Sequence, residues 1–166
     1  AVAATSIRAE FGIDPAMMGL ILGAFFWTYA IMQLPFGWFI DKVGARIALA
    51  VAVAWWSVST ILVATTRSVG SLLGLRLLLG VGEAGAYPSG AKINMDWFPA
   101  TERAIASSIF DSGSRIGNVL SLPLVTWLII GWGWRVSFAV TGAIGLVWTI
   151  AWLMLYRRPE DHPGVT

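Results

Sequence analysis

Long apolar runs separated by short charged clusters organise this 166-residue chain. Between Asp14 and Asp41 lie 26 residues without a charge, between Arg46 and Arg67 another 20, between Arg115 and Arg135 19, and between Arg135 and Arg157 21. A helix needs about 20 mostly apolar residues to cross the hydrocarbon of a bilayer, so each run reads as a membrane span. Five helices fit the charge map, over about residues 15–40, 45–65, 69–92, 101–130 and 134–156. Asp14 is a good N-cap for the first, Pro15 suits the first helical position, and Pro35 predicts a kink. Thr101 is the expected cap of the fourth, and Arg157-Arg158-Pro159 stops the fifth. The predicted fold class is an all-α membrane protein.

Composition agrees with the pattern. Hydrophobic residues make up 57% of the chain and charged residues 12%, against about 25% charged in an average soluble domain. That excludes a soluble enzyme, a disordered tail and a nucleic-acid module; the net charge of +2 rests on few residues and implies no nucleic-acid partner. With no Cys there is neither a disulfide nor a thiolate metal site. His162, the one His, falls in the polar tail 159–166, which reads as the start of a cytoplasmic linker. No nucleophile lies beside a base, so no catalytic residue, metal or cofactor is expected. Because position 1 is Ala and no full span precedes Arg8, the chain reads as an internal piece of a longer polypeptide.

Orientation follows from Lys and Arg in the short loops. Placing the 41–46 loop in the cytoplasm gives that side Lys42, Arg46, Lys92, Arg103, Arg157 and Arg158, and gives the other Arg8, Arg67 and Arg135. The chain would then start outside and end inside, in the plasma membrane (the inner membrane of a bacterium). Trp38 and Trp97 on one side, with Trp132 and Trp134 on the other, suit interfacial belts. Trp55, Trp56 and Trp148 sit deeper, in packing or against lipid.

Four ionisable groups fall inside spans, where each costs several kcal/mol unless paired or hydrated. Arg76 and Glu83 are seven residues apart, two turns along nearly one helix face and about 10 Å in rise. Either they form a static ion pair stapling helices, or Glu83 exchanges a proton as the pair opens and closes. Asp111 and Arg115 are spaced i,i+4 around Gly113 and Ser114, and Gly113 and Gly117 make a small-xxx-small pattern. There, either the pair closes locally beside a packing seam, or Arg115 faces water and meets an anion. Tyr29 and Gln33 share a face one turn apart and can serve a polar ligand or make interhelical hydrogen bonds. Gly80, Gly82, Gly85 and Gly90, with Pro88, make the third span thin and bendable.

Three motifs in order complete the reading. Gly37-Trp-Phe-Ile-Asp41-Lys42-Val-Gly44-Ala-Arg46 resembles the loop after the second helix of the major facilitator superfamily. Arg76-Leu-Leu-Leu-Gly80-Val-Gly82-Glu83-Ala84 resembles its fourth-helix motif. Trp97-Phe98-Pro99-Ala-Thr-Glu102-Arg103-Ala104, with Glu83-Ala84 and Pro88, is similar to the anion:cation symporter family, which includes carriers of galactonate, glucarate and hexuronates. The resemblance covers nearly the whole chain and implies that the five spans are helices two to six of a twelve-helix carrier, in its N-terminal six-helix bundle. It further implies proton-coupled symport of a small organic anion such as a sugar acid. Glu83 would carry the proton with Arg76 as its partner. Tyr29, Gln33, Asp111, Ser114 and Arg115 would face the substrate, although relatives often carry an amide at the position of Ser114. Gly37, Asp41, Lys42, Gly44 and Arg46 would form the cytoplasmic gate. The first helix, with the main ligand for the substrate carboxylate, and the C-terminal half would lie outside this chain. A different organic anion, an exchanger, or a non-transporting receptor on the same fold are the alternatives.

Overall fold

The computed structural model describes residues 2–159. Among them every element is helical: α1 (Val2–Phe11), α2 (Pro15–Val43), α3 (Ala45–Val63), α4 (Val69–Glu83), α5 (Ala86–Trp97) and α6 (Arg103–Leu155). Four helical runs are long and apolar enough to cross a membrane: 15–43, 45–63, 69–97 across α4 and α5, and 103–155. The last has 53 residues, length enough for two crossings, and it breaks at Gly133, whose φ of 83° is left-handed. Its two limbs are 103–132 and 134–155. All but Pro159 of the predicted tail, His162 included, lies outside the described residues.

Local chemistry sets the ends. The Asp14 carboxylate accepts from the backbone N–H of Ala16 (2.8 Å) and Met17 (3.0 Å), with Pro15 opening α2. Ser68 and Ser71 form a reciprocal capping box at the start of α4. Thr101 is not a cap. It lies in a turn closed by Glu102 N–H on the Pro99 carbonyl (2.9 Å), and Glu102 takes the cap position without a side-chain bond. Arg103 turns back and donates to the carbonyls of Phe98 (3.0 Å) and Met95 (3.1 Å), satisfying acceptors left open at the end of α5. The break between α4 and α5 has a covalent cause: Pro88 has no N–H to offer the Ala84 carbonyl, and its ring crowds that position.

Small residues carry the packing, as expected where lipid removes the hydrophobic gain from burying one helix on another. α4 lies against α2 at Gly80 and against α3 at Gly82, and α3 crosses the second limb of α6 where Ser57 meets Gly142 and Gly145. Thr28 donates to the Leu77 carbonyl and Trp55 Nε1 to the Leu78 carbonyl, both at 2.8 Å, tying α2 and α3 to one turn of α4. Near the chain start, Ile7, Ile13, Met18, Ile21, Val63, Leu72 and Trp134 form a buried cluster.

Trp134 departs from the expected interfacial belt. It is only 5% exposed, packs on Phe11 and Phe138, and donates through Nε1 to Glu10 at 2.7 Å. The other Glu10 oxygen takes Arg135 at 2.5 Å, and Arg135 also donates to the Thr66 carbonyl (2.8 Å) at the end of α3. α1, α3 and the second limb of α6 are thus pinned at one end of the bundle. Arg135 and Trp134 hold the Glu10 carboxyl below its ordinary pKa of 4.5. A depressed pKa gives stability that is present above the unfolded value and lost as pH falls through the folded one. The melting-temperature gap between wild type and Glu10→Gln is therefore expected to be widest near neutrality and to narrow below about pH 4. A gap that does not change with pH would remove Glu10 as the acid-sensitive member.

Candidate functional site

The contacts of α4 with its neighbours fix the height of each predicted site residue. Gly80 sits between Arg76 and Glu83, and a Cβ placed on it would fall 3.1 Å from the backbone N of Tyr29, so Tyr29 lies at the level of the charged residues. α2 runs parallel to α4, because Phe36 meets Gly85 further along both, and this carries Gln33 to about the level of Glu83. The first limb of α6 runs antiparallel: Ser107 pairs with Asn94 (3.2 Å), Phe110 packs edge-on to Tyr87 and against Gly90, and Ser121 and Leu122 share a cavity with Arg76. The same register brings Ser114 and Arg115 level with Glu83. Tyr29, Gln33, Glu83, Ser114 and Arg115 therefore occupy one belt across three helices, with Arg76 two turns to one side, level with Ser121, and Asp111 to the other, level with Tyr87.

Around that belt the side chains differ in surroundings. Arg76 and Glu83 are half-buried in an otherwise apolar run. They are not joined: the ion pairs within 4 Å among the described residues are Lys92–Asp96 and Glu10–Arg135. The staple expected of a closed Arg76–Glu83 pair is thus open in this structure. Arg76 lines a cavity of about 220 Å³ with the hydroxyls of Thr60, Ser121, Ser137 and Thr141 over an apolar wall from α1, α2 and α4. That space has room for several waters, each taking about 30 Å³. Glu83 is not among its lining residues; it ends α4, beside the break that Pro88 imposes.

Tyr29 is half-buried and stacks on Phe25 at 5.6 Å, whereas Gln33 is exposed. Asp111, Ser114 and Arg115 are exposed too. One of the two sequence readings of Asp111 and Arg115 is not realised among the described residues. They make no ion pair within 4 Å, and a Cβ at Gly113 or Gly117 would meet nothing within 4 Å, so no seam packs there. An unpaired Arg within a span calls for a counter-charge or water.

At the opposite end from Glu10, Gly44 joins α2 to α3 with φ 82°, and its N–H bonds the Ile40 carbonyl (2.8 Å). Gly37 is half-buried, Asp41 is exposed, and Lys42 lies over the Trp38 ring at 4.0 Å. Arg46 instead turns into its own bundle and donates to the Leu153 carbonyl at the end of α6, while Trp152 Nε1 donates to the Arg46 carbonyl (3.0 Å). The pins made by Glu10, Thr28 and Arg46 escaped the sequence reading. Their only signal there is a polar residue close to a helix end or a Thr facing a glycine-rich span.

Comparison with known proteins identifies the fold. The chain is 39% identical to the D-galactonate transporter of Escherichia coli O6:H1 over 100% of its own length and 39% of that protein's. It is 35% identical to the hexuronate transporter of Escherichia coli strain K12, covering 100% of this chain and 38% of that one. A crystal structure of a bacterial homolog of the human lysosomal transporter Spinster, inward-facing and occupied, superposes with a TM-score of 0.76 at 28% identity, covering 95% of this chain and 40% of that one. The chain thus spans about two fifths of the length of these relatives. These relatives are named as transporters, not enzymes. The Major Facilitator Superfamily model matches residues 1–166, and the chain belongs to that family.

Proposed function

We propose that this chain is the greater part of the N-terminal bundle of a secondary transporter that carries a small organic anion of the sugar-acid class together with protons. The observation that carries the reading is the open Arg76–Glu83 couple: a carboxylate and a guanidinium two turns apart on one apolar helix, half-buried and unjoined. Such a couple is costly in a membrane and gains a use if Glu83 takes a proton when substrate enters and Arg76 meets the anion's charge. Tyr29 and Gln33 would offer hydroxyl and amide groups to the sugar hydroxyls, with Ser114 and Arg115 opposite. Alternating access would rock this bundle against a second one outside this chain, around a site near mid-membrane. The 41–46 turn would face the cytoplasm with Asp41 and Lys42 on the gating surface. The relatives named for galactonate and hexuronate support the substrate class.

The test is uptake of labelled galactonate, glucarate and hexuronates by the full-length protein in proteoliposomes, with and without an inward proton gradient. Accumulation above equilibrium that collapses with a protonophore is the expected result. Uptake that only equilibrates would overturn proton coupling, and no uptake of any sugar acid would overturn the substrate class. Substrate binding without counterflow would point instead to a receptor.

A further inference from the structure

The two sides of the break between α4 and α5 are held differently. α4 is bonded from its neighbours onto its own backbone: Thr28 and Trp55 donate to the Leu77 and Leu78 carbonyls, both at 2.8 Å, and Gly80 and Gly82 bring it against α2 and α3. α5 rests on the same two helices through side chains, Phe36 at Gly85 and Ile93 on Ile40, Ala45 and Ala48. Its far end is bonded to the start of α6, where Asn94 meets Ser107 at 3.2 Å and Arg103 donates to the carbonyls of Met95 and Phe98. Between the two, Ala84 (φ −58°, ψ −24°) and Gly85 (φ −81°, ψ −14°) keep near-helical backbone, so the break is a lost hydrogen bond and not a reversed turn. Pro88, which removes that bond, directly precedes Ser89. Ser89 is 0% exposed, and its Oγ is buried with no hydrogen-bond partner among the described residues. A serine on a helix can donate to the carbonyl four residues back and bends the helix in doing so. Here that carbonyl belongs to Gly85 and already accepts the Ser89 N–H at 3.1 Å. Rotation about χ1 decides whether the hydroxyl joins it, and a buried donor left unmade is costly.

We propose that Ala84 and Gly85 form a hinge and that the Ser89 hydroxyl latches a second, more bent position of α5. With the hydroxyl unbonded, as in this structure, α5 continues the line of α4. When Oγ–H donates to the Gly85 carbonyl the turn bends, and α5 swings with the start of α6 while α4 stays with α2 and α3. Ser89 is a positioning residue: it acts through the angle of α5. Glu83 directly precedes the hinge and stays with the fixed part, whereas Lys92, Asp96 and Trp97 travel with the moving part. The latch needs two positions of α5 and does not depend on the substrate class proposed above.

Distances between spin labels in the full-length protein, reconstituted in lipid without substrate, test this. This chain has no Cys, and any cysteine outside it is replaced. Met95→Cys with Val147→Cys follows α5, and Leu78→Cys with Val147→Cys follows α4; the three positions are 50%, 66% and 42% exposed. Two distances are expected for the α5 pair, one of them matching this structure, and a single distance for the α4 pair. Ser89→Ala is expected to lower the population of the second α5 distance, relative to the first, about three- to tenfold, the effect of one hydrogen bond. Pro88→Ala returns the missing N–H and is expected to leave one α5 distance, which keeps the hinge testable should Ser89→Ala fail to fold. A single α5 distance in wild type overturns the hinge. Unchanged populations in Ser89→Ala overturn the latch, the hydroxyl then being met by a buried water. Two distances in the α4 pair as well would mean that the span moves as one piece, which overturns the proposal too. Because no substrate is added, failure of sugar-acid uptake leaves these distances as they are, and the two readings fail separately.

Discussion

Glu83→Gln in the full-length transporter is expected to abolish accumulation driven by a pH gradient while leaving counterflow within several-fold of wild type. A proton moving with a monoanion carries no net charge, so the driving force is the pH difference alone. One pH unit is worth about 1.36 kcal/mol, a tenfold accumulation. Gln keeps the size and the hydrogen-bonding amide but cannot release a proton, so the accumulation ratio should drop to one. Counterflow asks only that substrate bind and the bundles rock, and Gln mimics the protonated carboxyl in both. Glu83→Asp should restore part of the coupling, because the acid returns on a shorter arm. Arg76→Gln should behave differently and depress counterflow as well, since the guanidinium is proposed to meet the substrate. Accumulation by Glu83→Gln at the wild-type ratio would take the proton away from this residue.

The all-helical membrane fold was legible because bilayer thickness forces long uncharged runs, and Asp14-Pro15 announces a helix start through side-chain chemistry. Less legible was how the ends are knit together. Trp134 reads as an interfacial belt residue by its position beside Arg135, yet Glu10, 124 residues away in sequence, draws the indole inward. Thr101 reads as a cap, yet the turn at Pro99 hands that place to Glu102. No spacing rule links such partners, since each bond depends on where distant helices come to rest. The charged belt divides the same way. The Arg76–Glu83 spacing follows from helical periodicity, but whether the pair closes is a question of side-chain rotamers and surroundings. For Asp111 and Arg115 the i,i+4 spacing permits a bridge that is not made, since spacing along one helix does not fix the rotamers that would close it.

The largest stability effect is expected at Gly80. A Cβ there would sit 2.2 Å from Thr28 Oγ1 and 2.4 Å from the Phe25 carbonyl oxygen. The hydroxyl could turn away, but the carbonyl belongs to the α2 backbone, so α2 and α4 must part. Overpacking of this kind costs about 1–3 kcal/mol, and here it also strains the Thr28 bond to the Leu77 carbonyl. Gly80→Ala should therefore lower the melting temperature by several degrees, and Thr28→Ala in the same chain should recover only part of the loss. Gly142→Ala, facing the Ser57 carbonyl at 2.6 Å, should rank next. Gly145→Ala should be milder, because its nearest neighbour at 2.1 Å is the rotatable Ser57 Oγ. Gly74 lies in the same helix with nothing within 4 Å of its added Cβ; there Ala should be neutral or slightly stabilising, since it removes glycine's backbone entropy. Thermal unfolding of the four variants in one detergent gives the ranking. A Gly80→Ala protein as stable as Gly74→Ala would mean that α2 and α4 separate at little cost, and Tyr29 would then no longer be held at the level of Arg76 and Glu83 by packing.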